Sequence, residues 1–169
     1  QGKGKALHTG FQQARAMGYD YALTLDSDGQ HYPEDIPAFI EALAAEEAPV
    51  LLVGNRDMQQ EGVPKKSSFG HRFSNFWFRL ETGVALPDTQ SGYRLYPLHF
   101  IPKKYYTRKF EFEIEILVRS SWRGIAVKPV PIRVLYDPAE RVSHFRPFRD
   151  FTRISILNTV LVVLTFLYI

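Results

Sequence analysis

The stretch Leu23-Thr24-Leu25-Asp26-Ser27-Asp28-Gly29-Gln30-His31 constrains this chain more than any other. A short apolar run stops abruptly at two carboxylates one residue apart, followed by a glycine, an amide and an imidazole. The run suits a buried strand. The polar tail suits the loop at its C-terminal end, the edge along which open α/β sheets carry their ligand sites. Asp26 and Asp28 offer the hard oxygen donors that a divalent cation takes, and such a cation commonly brings phosphates with it. The stretch therefore reads as a metal–diphosphate site. The plain alternative is a turn in which both aspartates accept backbone N–H groups.

The chain of 169 residues is about one domain, long enough to bury a core. Its 45% hydrophobic and 23% charged residues exclude a disordered polymer. The absence of cysteine excludes disulfides and zinc–thiolate sites, and fits a reducing compartment. A net charge of +3 is mild, but basic residues gather at Lys103-Lys104, at Arg108-Lys109 and again between Arg133 and Arg153. That distribution suits anionic lipid or a phosphorylated substrate as well as an ordinary solvated face. The closing run from Ile154 to Ile169 is strongly apolar but shorter than the ~20 residues that span a bilayer. It reads as a truncated membrane helix, an interfacial helix or a packed terminal helix. The chain opens at Gln1 without an initiator Met or a signal-peptide pattern, so it is expected to be a fragment at both ends.

Periodicity supplies the remaining elements. Ala6, Leu7, Gly10, Phe11, Ala14 and Met17 form a helical stripe that Gly18 stops, giving a helix Lys5–Met17 before a strand Tyr21–Leu25. Pro33 with Glu34 and Asp35 starts a second helix that buries Ile36, Phe39, Ile40 and Leu43. Val50 to Val53 reads as a buried parallel strand that ends in Gly54-Asn55-Arg56-Asp57. A loop through Pro64-Lys65-Lys66 leads to a third helix, whose stripe of Phe69, Phe73, Phe76, Trp77 and Leu80 is expected in the core. Leu95-Tyr96 reads as a strand. Phe110–Trp122 reads as a fourth helix with Phe112, Ile116 and Leu117 inward, and with Glu111, Glu113 and Glu115 on a solvated or ion-paired face. Ile125–Tyr136 reads as a strand that Pro129 and Pro131 push to a sheet edge. A polar loop from Asp137 to Arg149 precedes the terminal helix.

Other owners of an Asp-x-Asp-Gly loop fit less well. A calcium-binding EF-hand wants glycine sixth and glutamate twelfth, whereas here glycine is fourth and Pro37 is twelfth. A dehalogenase-type phosphatase would use Asp26 as nucleophile and needs a later pair of close acidic residues. Past Asp57 the aspartates stand alone at Asp88, Asp137 and Asp150, which weakens that reading.

The loop resembles the metal-binding D-x-D loop of the family-2 glycosyltransferases, and the likeness runs from Gly2 to Ser143. Gly2-Lys3-Gly4 with Ala6-Leu7 and Gly10 is similar to the family's GKG-x-AL-x-x-G helix start. Leu25 to His31 with Pro33 is similar to LDxDxQHPPE, and Val53-Gly54-Asn55-Arg56 to its G-S-R segment. Asp88-Thr89-Gln90-Ser91-Gly92-Tyr93-Arg94 is similar to D-x-x-S-G-[FY]-R. Each motif is weak alone; four in order are fairly specific. The nearest subgroup is the dolichyl-phosphate mannosyltransferase-like enzymes, which glycosylate polyprenyl phosphates.

The resemblance implies an α/β, Rossmann-like GT-A fold of three layers with a mostly parallel sheet, N-terminally truncated, over residues 1–150, with a C-terminal apolar helix over 151–169. It implies an inverting transfer from a nucleotide-diphosphate sugar, with Mg²⁺ or Mn²⁺ held by Asp26, Asp28 and Gln30. Lys3, Arg56, Gln90, Ser91 and Arg94 are implied as substrate-binding, joined by Arg141, Ser143 and His144, where the subgroup carries a basic R-x-G-x-S-K loop. Asp88 is the catalytic candidate, the base that a hydroxyl acceptor would need. The implied partners are the donor, a lipid phosphate or glycan acceptor and the membrane surface on its cytoplasmic side, peripheral or integral, with no nucleic acid. A non-catalytic remnant of the same fold is the remaining alternative.

Overall fold

Four strands form one sheet in the order β1-β3-β2-β4, made of β1 (Tyr21–Thr24), β2 (Val50–Arg56), β3 (Arg94–Pro97) and β4 (Ala126–Ile132). The computed structural model describes residues 2–57, 65–135 and 147–168. β3 runs antiparallel to both β1 and β2, while β2 and β4 are parallel, so β1, β2 and β4 share one direction. β4 lies at an edge of the sheet, as its two prolines require. β1 lies at the other edge and is only half-buried, unlike the fully buried strand expected from its apolar residues.

Helices cover both faces. Val50 and Leu52 of β2 point to one side, where Phe39 of α2 (Ile36–Ala44) packs with Tyr93, Leu95, Val130 and Ile132. Leu51 and Val53 point to the other side. They meet Phe11 of α1 (Lys3–Ala16), Phe78 of α3 (Lys65–Thr82), Phe112, Ile116 and Leu117 of α4 (Phe112–Trp122), and Leu161 of α5 (Pro147–Tyr168). A central strand buried on both sides reads as a continuous apolar run, and β2 does. No helix of the described residues is long and apolar enough to cross a membrane.

The third helix departs from the sequence reading. Phe76 and Leu80, expected in the core, are exposed, and the buried face of α3 is instead His71, Ser74, Phe78 and Glu81. Both stripes have helical spacing, so periodicity could not choose between them. The choice is made by the Asp88–Arg94 segment, whose Thr89 hydroxyl donates to Ser74 Oγ at 2.7 Å. A polar partner inside the fold makes a polar stripe the buried one. The side chain of Phe69 lies outside the described residues.

At the far end of α3 the Glu81 carbonyl, left over by the helix terminus, accepts from Trp122 Nε1 at 2.8 Å and from the Thr165 hydroxyl at 3.1 Å. One carbonyl thus joins α3, α4 and α5. The Glu81 carboxyl is buried beside it with no hydrogen-bond partner on either oxygen. Burial pushes it up from 4.5 to about 8. A folded-state value above the unfolded one stabilises fully below the unfolded value, and that contribution is lost as pH rises through the folded value. Stability is therefore expected to fall between pH 4.5 and about 8 by an amount on the order of a few kcal/mol. Calorimetric unfolding across pH 4 to 9 checks this, with Glu81→Gln expected to flatten the profile.

Candidate active site

The C-terminal ends of β1, β2 and β4 and the start of the reversed β3 lie along one edge, and the predicted site residues converge there. Asp26 and Asp28 follow β1. Asp28 is exposed, and its Oδ1 accepts the Gln30 N–H at 3.1 Å. The Gln30 carbonyl takes the Leu135 N–H at 3.0 Å, and His31 bridges to Val134. The loop is thereby stitched to the chain beyond β4. The Asp26 N–H donates to His31 Nδ1 at 3.3 Å, which requires that nitrogen to be unprotonated. Burial pushes the imidazole below its ordinary value against the pull of Asp26, so His31 is neutral at pH 7.

Lys3 comes to Asp26 from the first turn of α1, with Nζ 2.6 Å from Asp26 Oδ1 and 3.0 Å from Glu113 Oε1. Two close approaches set this up. Gly4 lies against Phe112, where a Cβ would come within 2.5 Å of the Phe112 Cβ, so the start of α1 can press onto α4. Gly92 lies against Asp26, where a Cβ would come within 2.5 Å of Oδ2. Burial pulls the Lys3 ammonium down, but the carboxylates of Glu113 and Asp26 outweigh it and hold the group above the ordinary lysine value. Lys3 is charged at every relevant pH.

The second half of the site is a knot around Asp88, whose side chain has 0% exposure. Arg56, at the end of β2, grips it in a fork, with Nε donating to Oδ2 at 2.6 Å and Nη2 to Oδ1 at 3.0 Å. Oδ1 also accepts the Gln90 and Ser91 N–H groups at 3.0 and 3.2 Å. His71 Nε2 stands 3.3 Å from the same oxygen. Burial alone would raise the Asp88 carboxyl. His71 and Arg56 overcome it and hold the group far below the usual carboxylate range. Such a carboxylate is a poor proton acceptor.

Several expectations change here. Asp88, expected as a base, is sealed and ion-paired. Arg56, expected to bind substrate, turns its fork to Asp88. Arg94, also expected to bind substrate, has 0% exposure and donates to the carbonyls of Ser91 at 2.6 Å, Glu113 at 2.7 Å and Thr89 at 2.9 Å. It braces the loop from inside. Ser91 is buried and turns its hydroxyl to the Tyr93 N–H at 3.3 Å, while the Gln90 amide donates to the Gly70 carbonyl at 3.1 Å. Arg141, Ser143 and His144 lie outside the described residues, as does most of the loop expected before α3.

Glu113 and His71 are site residues that sequence reasoning passed over. Of the solvated or ion-paired face expected there, the ion-paired form is what the structure has: Glu113 is buried against Lys3, and Glu115 is buried and accepts from the Tyr106 and Thr107 N–H groups and from Arg119. The alternation Glu111-Glu113-Glu115 at a helix start was the available signal, since three acids two apart on a helix cannot share one face.

Among the described residues no group of three or more His, Asp or Glu side chains forms a metal cage. The Asp26–Asp28 pair still suits Mg²⁺ or Mn²⁺. Its donors are hard oxygens, Asp28 is open to solvent, and these cations are commonly held by one or two carboxylates with substrate phosphates completing the shell. The knot behind the pair yields its own expectation. Asp88→Asn removes the buried charge that the Arg56 fork holds and is expected to cost about 3 kcal/mol in chemical denaturation. The same change in an Arg56→Met background is expected to cost much less.

Comparison with known proteins adds the following. The model of Glycosyl transferase family 2 matches residues 1–103. A UDP-N-acetylglucosamine–dolichyl-phosphate N-acetylglucosaminyltransferase of Methanococcus voltae is 28% identical over 142 residues, covering 80% of this chain and 56% of that protein. An undecaprenyl-phosphate mannosyltransferase of Micrococcus luteus is 28% identical over 142 residues, covering 78% of this chain and 56% of that protein. The chain thus spans a little over half the length of these curated relatives. Glucosyl-3-phosphoglycerate synthase of Mycobacterium tuberculosis, solved with Mg²⁺ and UDP, superposes with a TM-score of 0.61 at 18% identity, over 98% of this chain and 54% of that one. The likeness bears out the expected three-layer, Rossmann-like glycosyltransferase fold.

Proposed function

Because the chain belongs to glycosyl transferase family 2, we propose that its protein transfers a sugar from a nucleoside-diphosphate donor to a polyprenyl phosphate, with inversion at the anomeric carbon. The observation that carries the choice of acceptor is the state of Asp88. Asp88, the base expected from the sequence, is locked in a buried ion pair. A hydroxyl acceptor needs a base, whereas a phosphate acceptor arrives already ionised. The named activities of the relatives on dolichyl and undecaprenyl phosphates support the same choice. Family membership also sets aside the dehalogenase-type phosphatase.

Asp26 and Asp28 are the residues that would hold Mg²⁺ or Mn²⁺, whose charge neutralises the departing diphosphate. The solved structures with Mn²⁺ or Mg²⁺ and UDP support divalent-ion use on this fold. Lys3 adds an ammonium beside Asp26 for the phosphate oxygens. Gly92 leaves room for Asp26 to stand where it does, and Arg94 keeps the Thr89–Gly92 backbone in place behind it.

The outer face of α5 bears on where this happens. Ile156, Val160 and Val163 are exposed at helical spacing, with Phe166 beside them. A cleft of about 560 Å³ separates α5 from α4 and is walled by Tyr106, Arg119, Trp122, Arg153, Leu157 and Leu161, among others. Arg119 and Arg153 line the same cleft as Ile156 and Val160, together with Glu111 and Glu115, so basic side chains stand beside the apolar stripe. An apolar stripe beside basic residues suits a helix lying in the surface of an anionic bilayer.

Three outcomes are expected. Calorimetry with Mn²⁺ and pyrophosphate, a probe independent of the nucleobase, gives binding that Asp28→Ala abolishes and Gly92→Ala weakens more than roughly tenfold, each with near-normal thermal stability. Binding unchanged by Asp28→Ala sinks the metal assignment. The full-length enzyme moves sugar to a short polyprenyl phosphate, and Asp28→Ala slows it by about 10²–10³-fold; a folded full-length protein with no transfer favours the non-catalytic remnant. Co-sedimentation with vesicles containing anionic lipid is lost in Ile156→Asp/Val160→Asp, and retention there argues against α5 as the contact.

A further inference from the structure

Lys3 is held by two carboxylates where one would neutralise it. Its Nζ lies 2.6 Å from Asp26 and 3.0 Å from Glu113. Both ends of the arrangement are fixed. The Lys5 N–H of the same turn donates to the Arg108 carbonyl at 3.2 Å, and Gly4 rests against Phe112. Glu113 is buried in the first turn of α4, and its own carbonyl is gripped by Arg94 at 2.7 Å. The three charges sum to minus one, an arrangement that leaves space for one more cation. Asp26 is also the residue proposed to receive a divalent ion. An ammonium 2.6 Å from Asp26 Oδ1 and a metal on the same carboxylate repel each other strongly.

We propose that Glu113 is a positioning residue of the donor site, providing a second seat for the Lys3 ammonium. Lys3 neutralises Asp26 in the resting protein and shifts its weight to Glu113 when a divalent cation takes the Asp26 carboxylate. The inference rests on the metal–diphosphate reading of Asp26 and Asp28. The shift moves no atom across a bond; it is a side-chain rotation between two oxygens already within reach. It makes Lys3 a competitor of the bare metal and a partner of the metal–diphosphate, because the ammonium released from Asp26 stays beside the incoming phosphate. Free divalent ion then binds weakly, and the ion that arrives with its diphosphate binds well.

Titration of the full-length protein with Mn²⁺ alone, followed by the electron paramagnetic resonance of free Mn²⁺, and then with Mn²⁺ plus pyrophosphate, tests this. Lys3→Met is expected to tighten Mn²⁺ alone by about tenfold and to weaken the Mn²⁺–pyrophosphate complex. Glu113→Gln is expected to weaken Mn²⁺ alone by about tenfold, because Lys3 then has only Asp26 to pair with. In the Lys3→Met background, Glu113→Gln is expected to change nothing. A merely structural Glu113 would lower the melting temperature and leave the Mn²⁺ titration where it was, or would weaken it equally in both backgrounds; either result overturns the proposal. If Glu113→Gln does not fold, Lys3→Met decides alone, and unchanged or weaker binding of bare Mn²⁺ overturns the second seat. Binding that Asp28→Ala abolishes but that ignores Lys3→Met and Glu113→Gln removes this inference and leaves the metal site standing. Binding indifferent to Asp28→Ala removes both.

Discussion

The Asp88 carboxylate is the constraint on which the sheet edge depends. A carboxylate with no solvent is tolerable only where every lone pair is met by a donor and a counter-charge is close. Arg56 supplies the charge and two donors, and the Gln90 and Ser91 backbone supplies the rest. These contacts bend residues 88–92 back toward the strands. The bend delivers Gly92 to Asp26 and lets Arg94 enter the interior with three carbonyls to receive it. One of those carbonyls belongs to Glu113, so the knot also fixes the start of α4. The Asp26–Asp28 loop is thus aimed from behind by a buried ion pair.

Much of this was legible in the sequence, because each legible part has a local cause. The Asp26–Asp28 loop falls where an apolar run meets polar residues. β2 reads as buried from its unbroken aliphatic run, and β4 reads as an edge strand from Pro129 and Pro131. The illegible parts depend on partners far along the chain. α3 offers an aromatic stripe and a polar stripe of equal period, and only Thr89 and Asp88 show that the polar one turns inward. Glu113 reads as an ordinary acid in a helical first turn until Lys3 arrives from the other end of the chain. Arg56, Asp88 and Arg94 were found by motif, yet motif could not say that two of them pair with each other and that the third faces inward.

That inversion of roles matters for how such motifs are interpreted. An arginine and an aspartate standing in motifs beside an Asp-x-Asp loop invite direct roles, one on phosphate and one on a proton. Here burial decides otherwise. A guanidinium with 0% exposure cannot meet a ligand without unpacking the interior, and a carboxylate with 0% side-chain exposure cannot reach an acceptor's proton without leaving its ion pair. Among the described residues Asp28, Asp26 and Lys3 are charged groups of this edge that keep part of their side chains open to solvent.

On the proposed donor reading, these three residues pose a charge problem that the fold has to solve. A diphosphate is strongly anionic, and two aspartates facing it would repel it unless cations stand between them. A divalent ion supplies most of that charge only while it is bound, whereas Lys3 supplies one unit permanently. An ammonium placed to help the diphosphate necessarily sits near the carboxylates that hold the ion and competes for them. A second carboxylate on the far side of the lysine relieves the conflict, because it stabilises the ammonium in either position without lending a ligand to the metal. Glu113 stands on that side, at 3.0 Å, anchored through its backbone to the same arginine that fixes the loop. The buried brace and the exposed clamp are therefore one mechanical unit. A change in Arg94 would reach the Asp26–Asp28 loop by two routes: the backbone of Thr89–Gly92 on one side and the Lys3–Glu113 contact on the other.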